Sequence, residues 1–279
     1  MRLKCVGREL DLTIPVVMGV LNVTPDSFFD GGRFVDLSAA LDHAQCMITA
    51  GATLIDVGGE STRPGAIPVS ADEEKRRVTP IIEALVSRGV LVSVDTSKPE
   101  VIRAALRAGV QMINDVRALR SPGALEAVAE GSAAICLMHM QREPADMQRA
   151  PSYRDVVDEV AEFLVERVAA CIQAGVSRDR LLVDPGFGFG KTVEHNLELL
   201  RGIPKIMAAT GVPVLAGLSR KSMLAALTGR PVNERLAGSL ALALAALDGG
   251  ARIIRCHDVA ETCDVVKIWV SIRGGGGLV

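Results

Sequence analysis

Charged and amide side chains stand at the ends of eight short apolar runs in this 279-residue chain. In chain order they are Asn22, Asp56, Asp95, Asn114 with Asp115, His139, Asp184, Ser219-Arg220-Lys221, and Arg255 with His257. Carboxylates accept paired N–H groups of a nitrogen-rich ring, whereas arginine, lysine and histidine bind phosphate. This set of residue types would suit a phosphorylated, nitrogen-rich small molecule.

The runs themselves predict eight strands that would hold these side chains together. They cover residues 16–22, 53–58, 90–95, 110–115, 133–139, 181–184, 213–218 and 252–257, with helical periodicity between them at 38–50, 72–87, 99–108, 153–174 and 236–247. Strands that alternate with helices predict parallel βα units, and eight of them close a (β/α)8 TIM barrel. All the carboxyl ends then face one mouth. An open doubly wound sheet is the alternative, but no G-x-G-x-x-G follows the first run.

Composition limits the class of protein. The chain is 49% hydrophobic and 23% charged, which excludes a disordered protein and supplies one large core. A net charge of −2 and only 3% aromatic residues argue against nucleic acid as a partner. None of the six cysteines forms a C-x-x-C pair, so neither a disulfide framework nor a zinc site is expected.

No composition shift or linker divides the sequence, so we expect a single domain over residues 1–279, with 274–279 as a flexible Gly-rich tail. The N-terminal segment is too charged for a signal peptide. The longest apolar stretch, 236–247, is shorter than the ~18 residues of a membrane helix. We therefore expect a cytoplasmic protein that does not contact a membrane.

Two loops, after the first and second runs, are predicted to be mobile at the mouth. The first carries adjacent Phe28 and Phe29, which favours a lid over a substrate, although an ordinary connection is the alternative. The second carries Thr62 and Arg63 beside glycines, a combination that suits an anion, although a surface turn fits equally well. The charged run 72–77 that follows predicts a solvated helix start.

Three expectations concern the later strand ends. Lys191, after the Gly-rich segment 184–190, is predicted to be a surface lysine, although pairing with a phosphate is the alternative. Arg255 and His257 lie two apart on one strand and should face the same side, where a positive charge and an imidazole suit a diphosphate. Asp95 and Asp184 would be costly to bury without a donor, which a lysine, an arginine or a ligand could supply.

Eight motifs taken together resemble those of the bacterial dihydropteroate synthases. They are NVTPDSFFDGG at 22–32, DVGGESTRPG at 56–65, SVDTSKP at 93–99, INDV at 113–116, LMHMQ at 137–141, DPGFGFGK at 184–191, LSRKSM at 218–223 and RIIRCHD at 252–258. Each motif is weak alone, but the ordered set is specific and covers roughly residues 15–265. The resemblance implies a transferase of folate biosynthesis with a pterin-binding TIM barrel, usually a homodimer and a sulfonamide target. It would condense 6-hydroxymethyl-7,8-dihydropterin diphosphate with 4-aminobenzoate, with Mg²⁺ as cofactor.

The resemblance also implies residue roles. Pterin diphosphate would be bound by Asn22, Thr62, Asp95, Asn114, Asp184, Lys221, Arg255 and His257, 4-aminobenzoate by Phe28, Pro64, Phe189, Ser219 and Lys221, and Mg²⁺ by Asn22. The catalytic residues would be Arg63, Asp95, Lys221 and His257. The family usually has a small polar residue where Phe29 stands, so we expect altered packing over 4-aminobenzoate.

We expect loss of diphosphate before the arylamine nitrogen attacks, because the dihydropterin ring can delocalise the cation left at the exocyclic carbon. Three alternatives come from other classes of protein. A methyltransferase of the related pterin-binding barrels would lack Arg63 and His257, which grip diphosphate. A Schiff-base lyase would use Lys221, its pKa lowered by Arg220. A silent paralogue would bind pterin without turnover.

Overall fold

The computed structural model describes residues 1–23, 37–61, 67–142 and 147–274. Ten strands lie in these ranges: β1 (Arg2–Cys5), β2 (Arg8–Asp11), β3 (Val16–Asn22), β4 (Leu54–Gly58), β5 (Leu91–Asp95), β6 (Met112–Asp115), β7 (Ala134–Met138), β8 (Leu181–Asp184), β9 (Leu215–Ala216) and β10 (Ile253–Cys256). The last eight form a parallel sheet in the order β8-β7-β6-β5-β4-β3-β10-β9, and a bridge between Val183 and Val214 joins its two edges. The predicted (β/α)8 barrel is confirmed.

Helices surround this barrel. They are α1 (Leu37–Thr49), α2 (Ala71–Ser87), α3 (Pro99–Arg107), α4 (Ala124–Ala129), α5 (Val156–Gln173), α6 (Val193–Arg201), α7 (Ile203–Thr210), α8 (Ser222–Thr228), α9 (Leu236–Asp248) and α10 (Val259–Ile272). Local chemistry fixes several starts: Ser70 caps α2 by accepting from the Glu73 N–H, and Pro99 opens α3. In the described part of the chain no helix is long and apolar enough to cross a membrane.

All eight predicted strands match β3 to β10 and the five named helical segments match α1, α2, α3, α5 and α9. The sequence argument missed the antiparallel β1–β2 hairpin and did not name the other five helices. The hairpin strands have four residues each and expose charged side chains, so neither presents an apolar run.

Two apolar layers lie on opposite faces of the barrel strands. Outward residues pack against the helices in the larger core. Inward residues at the amino-terminal end form a second cluster with the β1–β2 hairpin: Leu3, Cys5, Leu10, Leu12, Met18, Leu54, Met112, Ala134, Cys136, Leu182, Leu215 and Ile253. The hairpin therefore closes the bottom of the barrel, and the lumen opens only toward the carboxyl ends of the strands.

Candidate active site

The pleat of the strands places five polar residues inside the mouth. Successive strand side chains alternate between faces, so a residue two or four positions after a buried lumen residue also faces inward. These residues are Asp56 on β4, Asp95 on β5, Asn114 on β6, Asp184 on β8 and Arg255 on β10. The structure thus brings together residues that lie up to 199 positions apart in the sequence.

Arg255 is held between two carboxylates. Its Nε donates to Asp56 Oδ2 at 2.7 Å and its Nη2 donates to Asp95 Oδ2 at 3.0 Å. Although burial opposes the charged form, Asp56 and Asp95 raise the pKa of Arg255, so its guanidinium stays charged. Burial, with a smaller contribution from the charge of Asp56, raises the pKa of Asp95 to about 7 against the opposing charge of Arg255.

Asn114 and Asp115 are adjacent but face opposite sides of the barrel wall. Asn114 Nδ2 donates to Asp56 Oδ2 at 3.0 Å across the lumen. Asp115 instead accepts from the backbone N–H groups of Arg117 and Leu119 and from the hydroxyl of Ser97. The expectation that Asp115 faces the mouth is wrong: it caps the turn after β6, because the alternation of β6 turns it outward.

Asp184 and Lys221 occupy the opposite wall. Asp184 Oδ1 accepts from the Gly186 N–H at 2.7 Å, and burial raises the pKa of Asp184 against the charges of Lys221 and Arg255. Burial lowers the pKa of Lys221 to about 8 although Asp184 opposes this, and its Nζ lies 4.4 Å from the Phe189 ring centroid. This wall therefore offers an acceptor, a donor and a flat apolar face.

Lys191 is buried, so the prediction of a surface lysine is wrong. Its Nζ donates to His139 Nδ1 at 3.0 Å, to the Phe189 carbonyl at 3.0 Å and to the His139 carbonyl at 3.4 Å. Gly186 is needed here because a Cβ would lie 1.8 Å from the His139 carbonyl oxygen. The Gly-rich segment is therefore seated on the end of β7.

Ser219 and His257 are joined across the ends of β9 and β10. Ser219 Oγ accepts from the His257 N–H at 3.2 Å and lies 3.0 Å from His257 Nδ1. Burial, with smaller contributions from the charges of Arg255 and Arg220, lowers the pKa of His257 to about 4. His257 is therefore neutral at pH 7, and it offers an anion a hydrogen bond rather than a positive charge.

Arg220 turns away from the mouth. Its guanidinium forms an ion pair with Asp258, its N–H donates to Ser239 Oγ at 2.9 Å, and its backbone is in the left-handed region at φ +56°. The hypothesis that Arg220 lowers the pKa of Lys221 has no support in this arrangement, because burial and Arg255 cause that shift. Arg220 instead fixes the backbone between Ser219 and Lys221.

A second ion-pair cluster lies beside the mouth. Lys98 Nζ donates to Glu60 Oε2 at 2.7 Å and also bonds the buried carboxylate of Glu74. Glu60 Oε1 accepts from the Val69 N–H at 2.9 Å. The prediction of a solvated start for the helix at 72–77 is therefore wrong at Glu74, which faces inward and pairs with a lysine from the next βα unit.

Several predicted residues lie outside the described ranges: Phe28, Phe29, Thr62, Arg63 and Pro64, together with most of both expected loops and the tail beyond Gly274. Asn22 is described, and it ends β3 half-buried at the mouth. Glycine at position 58 keeps space open beside it, since a Cβ there would lie 3.4 Å from Asn22 Oδ1 and 3.7 Å from Asp95 Cβ. A neutral amide oxygen beside open space is a suitable single ligand for Mg²⁺, which commonly takes its remaining ligands from water and substrate phosphate.

Asp56 is the residue that the sequence argument missed. It was noted among the polar strand ends but given no role, yet it is fully buried and bonds two other members of the site. Its signal was its position: Asp56 lies two residues after Leu54 on the same face, deeper than the strand end itself. A carboxylate at that depth requires a cationic partner.

Comparison with known proteins places the chain in a family. A family model described as pterin binding enzyme matches residues 18–257. The dihydropteroate synthase of Escherichia coli strain K12 is 53% identical over 269 residues, covering 96% of this chain and 95% of that protein. The dihydropteroate synthase of Haemophilus influenzae is 48% identical over 270 residues, covering 96% of this chain and 98% of that protein.

Solved structures agree with this placement. Yersinia pestis dihydropteroate synthase in a sulfonamide complex superposes with a TM-score of 0.93 at 49% identity, covering 98% of this chain and 100% of that chain. The Xanthomonas albilineans enzyme with 4-aminobenzoic acid gives 0.91 at 53% identity and 98% coverage of both chains. The Burkholderia cenocepacia enzyme with 7,8-dihydropteroate gives 0.90 at 48% identity, covering 98% and 96%. The chain belongs to the pterin-binding enzyme family and, within it, to the dihydropteroate synthases, which are transferases.

Proposed function

We propose that this chain joins 6-hydroxymethyl-7,8-dihydropterin diphosphate to 4-aminobenzoate and releases 7,8-dihydropteroate and diphosphate. The observation that carries the proposal is the polar set at the mouth, in which Asn114 and Asp184 are buried and Asp95, Lys221 and Arg255 are half-buried. Relatives bound to 4-aminobenzoic acid and to 7,8-dihydropteroate support the same substrates here.

Asp184 and Lys221 would recognise the pterin ring. A pterin has a 2-amino group next to a ring N–H, and a carboxylate accepts this pair as two parallel hydrogen bonds. Asp184 has one oxygen bonded to Gly186 and no cation hydrogen-bonded to it among the described residues, so ligand donors would offset the cost of its burial. Lys221 would donate to the ring carbonyl on the carbon next to that ring N–H.

Arg255 would form one face of the pterin pocket. Asp56 and Asp95 bond two of its nitrogens, so the plane of the guanidinium is fixed before any ligand arrives. A planar, charged group held in this way is suited to stacking on an aromatic ring. The role expected for Arg255 as a direct diphosphate ligand is therefore secondary to stacking.

The diphosphate would lie toward the ends of β3 and β10. Ser219 donating to His257 Nδ1 leaves the Nε2–H free to donate to an anion. Asn22 would hold Mg²⁺, and the ion, when bound, would offset the charge on the diphosphate oxygens. Thr62 and Arg63 are proposed for the same end of the substrate.

The reaction would begin with the break of the bond between the exocyclic carbon and the diphosphate oxygen. The bonding electrons leave with diphosphate, and the dihydropterin ring delocalises the positive charge left on the carbon. Asp95, which faces the lumen beside Arg255, would stabilise this cation when ionised. The neutral arylamine nitrogen then attacks the carbon and loses a proton to solvent, so no strong base is required.

Phe189 and Ser219 would shape the 4-aminobenzoate site, with Phe28 and Pro64 proposed from the loops. Lys191 fixes the Phe189 carbonyl, and the Ser219 hydroxyl is fixed by His257. Sulfonamides would compete for this site, in line with the sulfonamide complex of the Yersinia pestis relative.

We also propose a homodimer that works in the cytoplasm. The helical pair α9 and α10 exposes the apolar side chains of Leu236, Leu244, Ile268 and Ile272. A face of this kind is typical of a subunit interface. Light scattering should give the mass of two chains, and Ile268→Asp should shift the protein toward the monomer; a wild-type monomer would overturn this part of the proposal.

Diphosphate release by the purified protein tests the activity. Dihydropterin diphosphate, 4-aminobenzoate and Mg²⁺ would each be omitted in turn, with Asp184→Ala as the inactive variant and Asp42→Asn, an exposed acid on α1, as its matched control. We expect rapid release only with all three components and only from the wild type and the control. Slow release without 4-aminobenzoate would support early loss of diphosphate. Tight pterin binding without any release would overturn the proposed activity.

A further inference from the structure

Asp56 bonds two predicted ligand-binding residues through a single oxygen. Asp56 Oδ2 accepts from Arg255 Nε at 2.7 Å and from Asn114 Nδ2 at 3.0 Å. Its other oxygen, Oδ1, is buried and has no hydrogen-bond partner within the described ranges. The side chain is fully buried, so it cannot touch solvent, and both contacts depend on this one carboxylate oxygen.

This contact decides which way the Asn114 amide is turned. A carboxylate oxygen that already accepts from a guanidinium can only accept again, so the Asn114 atom facing it must be the nitrogen. The amide oxygen then lies on the other branch of the side chain. None of the described residues donates a hydrogen bond to Asn114 Oδ1.

The strand register places Asn114 at the mouth of the barrel. Asn114 pairs with Asp95, and Asp95 pairs with Gly58, so these three residues share one level at the mouth. Asp56 lies two residues before Gly58 on β4. Because Asp56 engages the amide nitrogen, the carbonyl oxygen is the atom of the Asn114 amide that is left for a ligand in the proposed pterin pocket.

We propose that Asp56 is a positioning residue that determines specificity, because it holds the Asn114 carbonyl toward the ligand. The site then selects a ring that presents an amino donor over a ring that presents an oxo acceptor. The inference rests on the proposed pterin substrate and deepens it. The Asn114 carbonyl and Asp184 then place two acceptors at the amino edge of the ring. A 2-oxo ring would put its carbonyl oxygen next to these acceptors, where no hydrogen bond can form. Without the hydrogen bond to Asp56, Asn114 could adapt to either ring by rotating its amide.

The test compares binding of 6-hydroxymethylpterin with that of its 2-oxo analogue, 6-hydroxymethyllumazine, by titration calorimetry. The variants are Asp56→Asn, Asn114→Ala and the double variant. Ser93→Ala is the matched control, since Ser93 is buried beside Asp56 in the β4–β5 register and its hydroxyl has no partner in the described structure. A neutral amide at position 56 can donate as well as accept, so it no longer imposes one orientation on Asn114.

We expect the wild type and Ser93→Ala to prefer the 2-amino ring equally. Asp56→Asn should lower this preference about tenfold, and should not lower it further in the Asn114→Ala background. Weaker binding of both rings by the same factor would show a merely structural role through Arg255 and would overturn the inference. If Asp56→Asn does not fold by circular dichroism, Asn114→Ala alone must lower the preference, and an unchanged preference contradicts the proposal. Absence of pterin binding by the wild type would instead refute the proposed function.

Discussion

The two halves of the barrel lumen are built on the same strands but differ in chemistry. Toward the amino ends, Leu54, Met112, Leu182 and Ile253 form an apolar layer sealed by the β1–β2 hairpin. Two residues further along those strands stand Asp56, Asn114, Asp184 and Arg255. One step of two residues along each strand therefore changes a packed core into a charged pocket.

The difference teaches how the fold separates stability from recognition. The apolar layer is buried by the protein's own chain, so its contribution is complete without a ligand. The polar layer is largely buried but only partly satisfied: Asp184 lacks a cationic hydrogen-bond partner among the described residues, and burial raises its pKa. Such a layer reduces stability until a ligand supplies the missing donors.

The largest expected effect is the loss of turnover at the polar layer. Asp184→Asn keeps the acceptor for the Gly186 N–H but removes the charge that would bind the ring N–H pair. We expect kcat/KM for dihydropterin diphosphate to fall about a thousandfold, since two charge-assisted hydrogen bonds weaken. Steady-state diphosphate release measures this. A fall of less than tenfold would place the ring elsewhere.

The apolar layer should show the opposite behaviour. Leu54→Ala leaves a cavity in the sealed lumen, so we expect the free energy of unfolding to drop by about 3 kcal/mol with kcat unchanged in the folded protein. Urea denaturation with linear extrapolation measures the change. Ile14→Ala, at an exposed apolar position, is the control, expected to shift stability by about 0.5 kcal/mol or less. A loss of kcat in Leu54→Ala comparable to the loss of activity in Asp184→Asn would contradict the separation of stability from recognition.

The pH dependence of stability sharpens the comparison. The pKa of Asp95 rises from its usual 3.8 to about 7 in the fold, so between these values the native state holds a proton that the unfolded state has lost. This group's contribution to stability is then present below pH 3.8 and is lost as pH rises to 7, by at most roughly 1.4 kcal/mol per pH unit.

Asp95→Asn removes that titration. Urea denaturation of the ligand-free proteins would be measured at intervals from pH 4 to pH 7. The free energy of unfolding of the variant should increase relative to that of the wild type as pH rises. Asp42→Asn, at an exposed position on α1, should run parallel to the wild type. A wild-type stability that rose relative to Asp95→Asn over this window would mean that Arg255 outweighs burial at Asp95.

The smallest effect concerns the orientation of His257. Ser219→Ala removes the hydroxyl that contacts both the N–H and the Nδ1 of His257, while burial still keeps the imidazole neutral at pH 7. We expect kcat/KM for dihydropterin diphosphate to fall about fivefold, the value of one ordinary hydrogen bond. Steady-state kinetics at pH 7 and pH 8 should give the same factor. A factor that changes strongly with pH would mean that a charged imidazole is used.

The sequence predicted the barrel because each strand is a short apolar run with a polar end, and these local signals agree with the topology. The same signals could not say which end residues face inward. Asp115 follows Asn114 by one residue, and only the pleat of β6 separates a turn cap from a pocket residue.

Lys191, Arg220 and Glu74 were misjudged for a related reason. Lysine and glutamate are mostly exposed, so Lys191 and Glu74 were assigned to the surface, whereas Arg220 was placed at the mouth beside Lys221 because it ends a strand. Their partners are His139, Asp258 and Lys98, which lie 52, 38 and 24 residues away. Such long-range pairs leave no local periodicity, so only the fold reveals them.

Ligand-induced stabilisation tests the division of the lumen most directly. Thermal unfolding of the wild type, Leu54→Ala and Asp184→Asn would be followed as 6-hydroxymethylpterin is added, since a ligand that binds only the native state raises its stability. Without ligand, we expect the melting temperature of Leu54→Ala to lie below that of the wild type and that of Asp184→Asn to equal or exceed it. On addition of ligand, the melting temperature of Leu54→Ala should rise as much as that of the wild type, and that of Asp184→Asn should hardly change. A ligand-induced rise in the melting temperature of Asp184→Asn as large as that of the wild type would contradict the account.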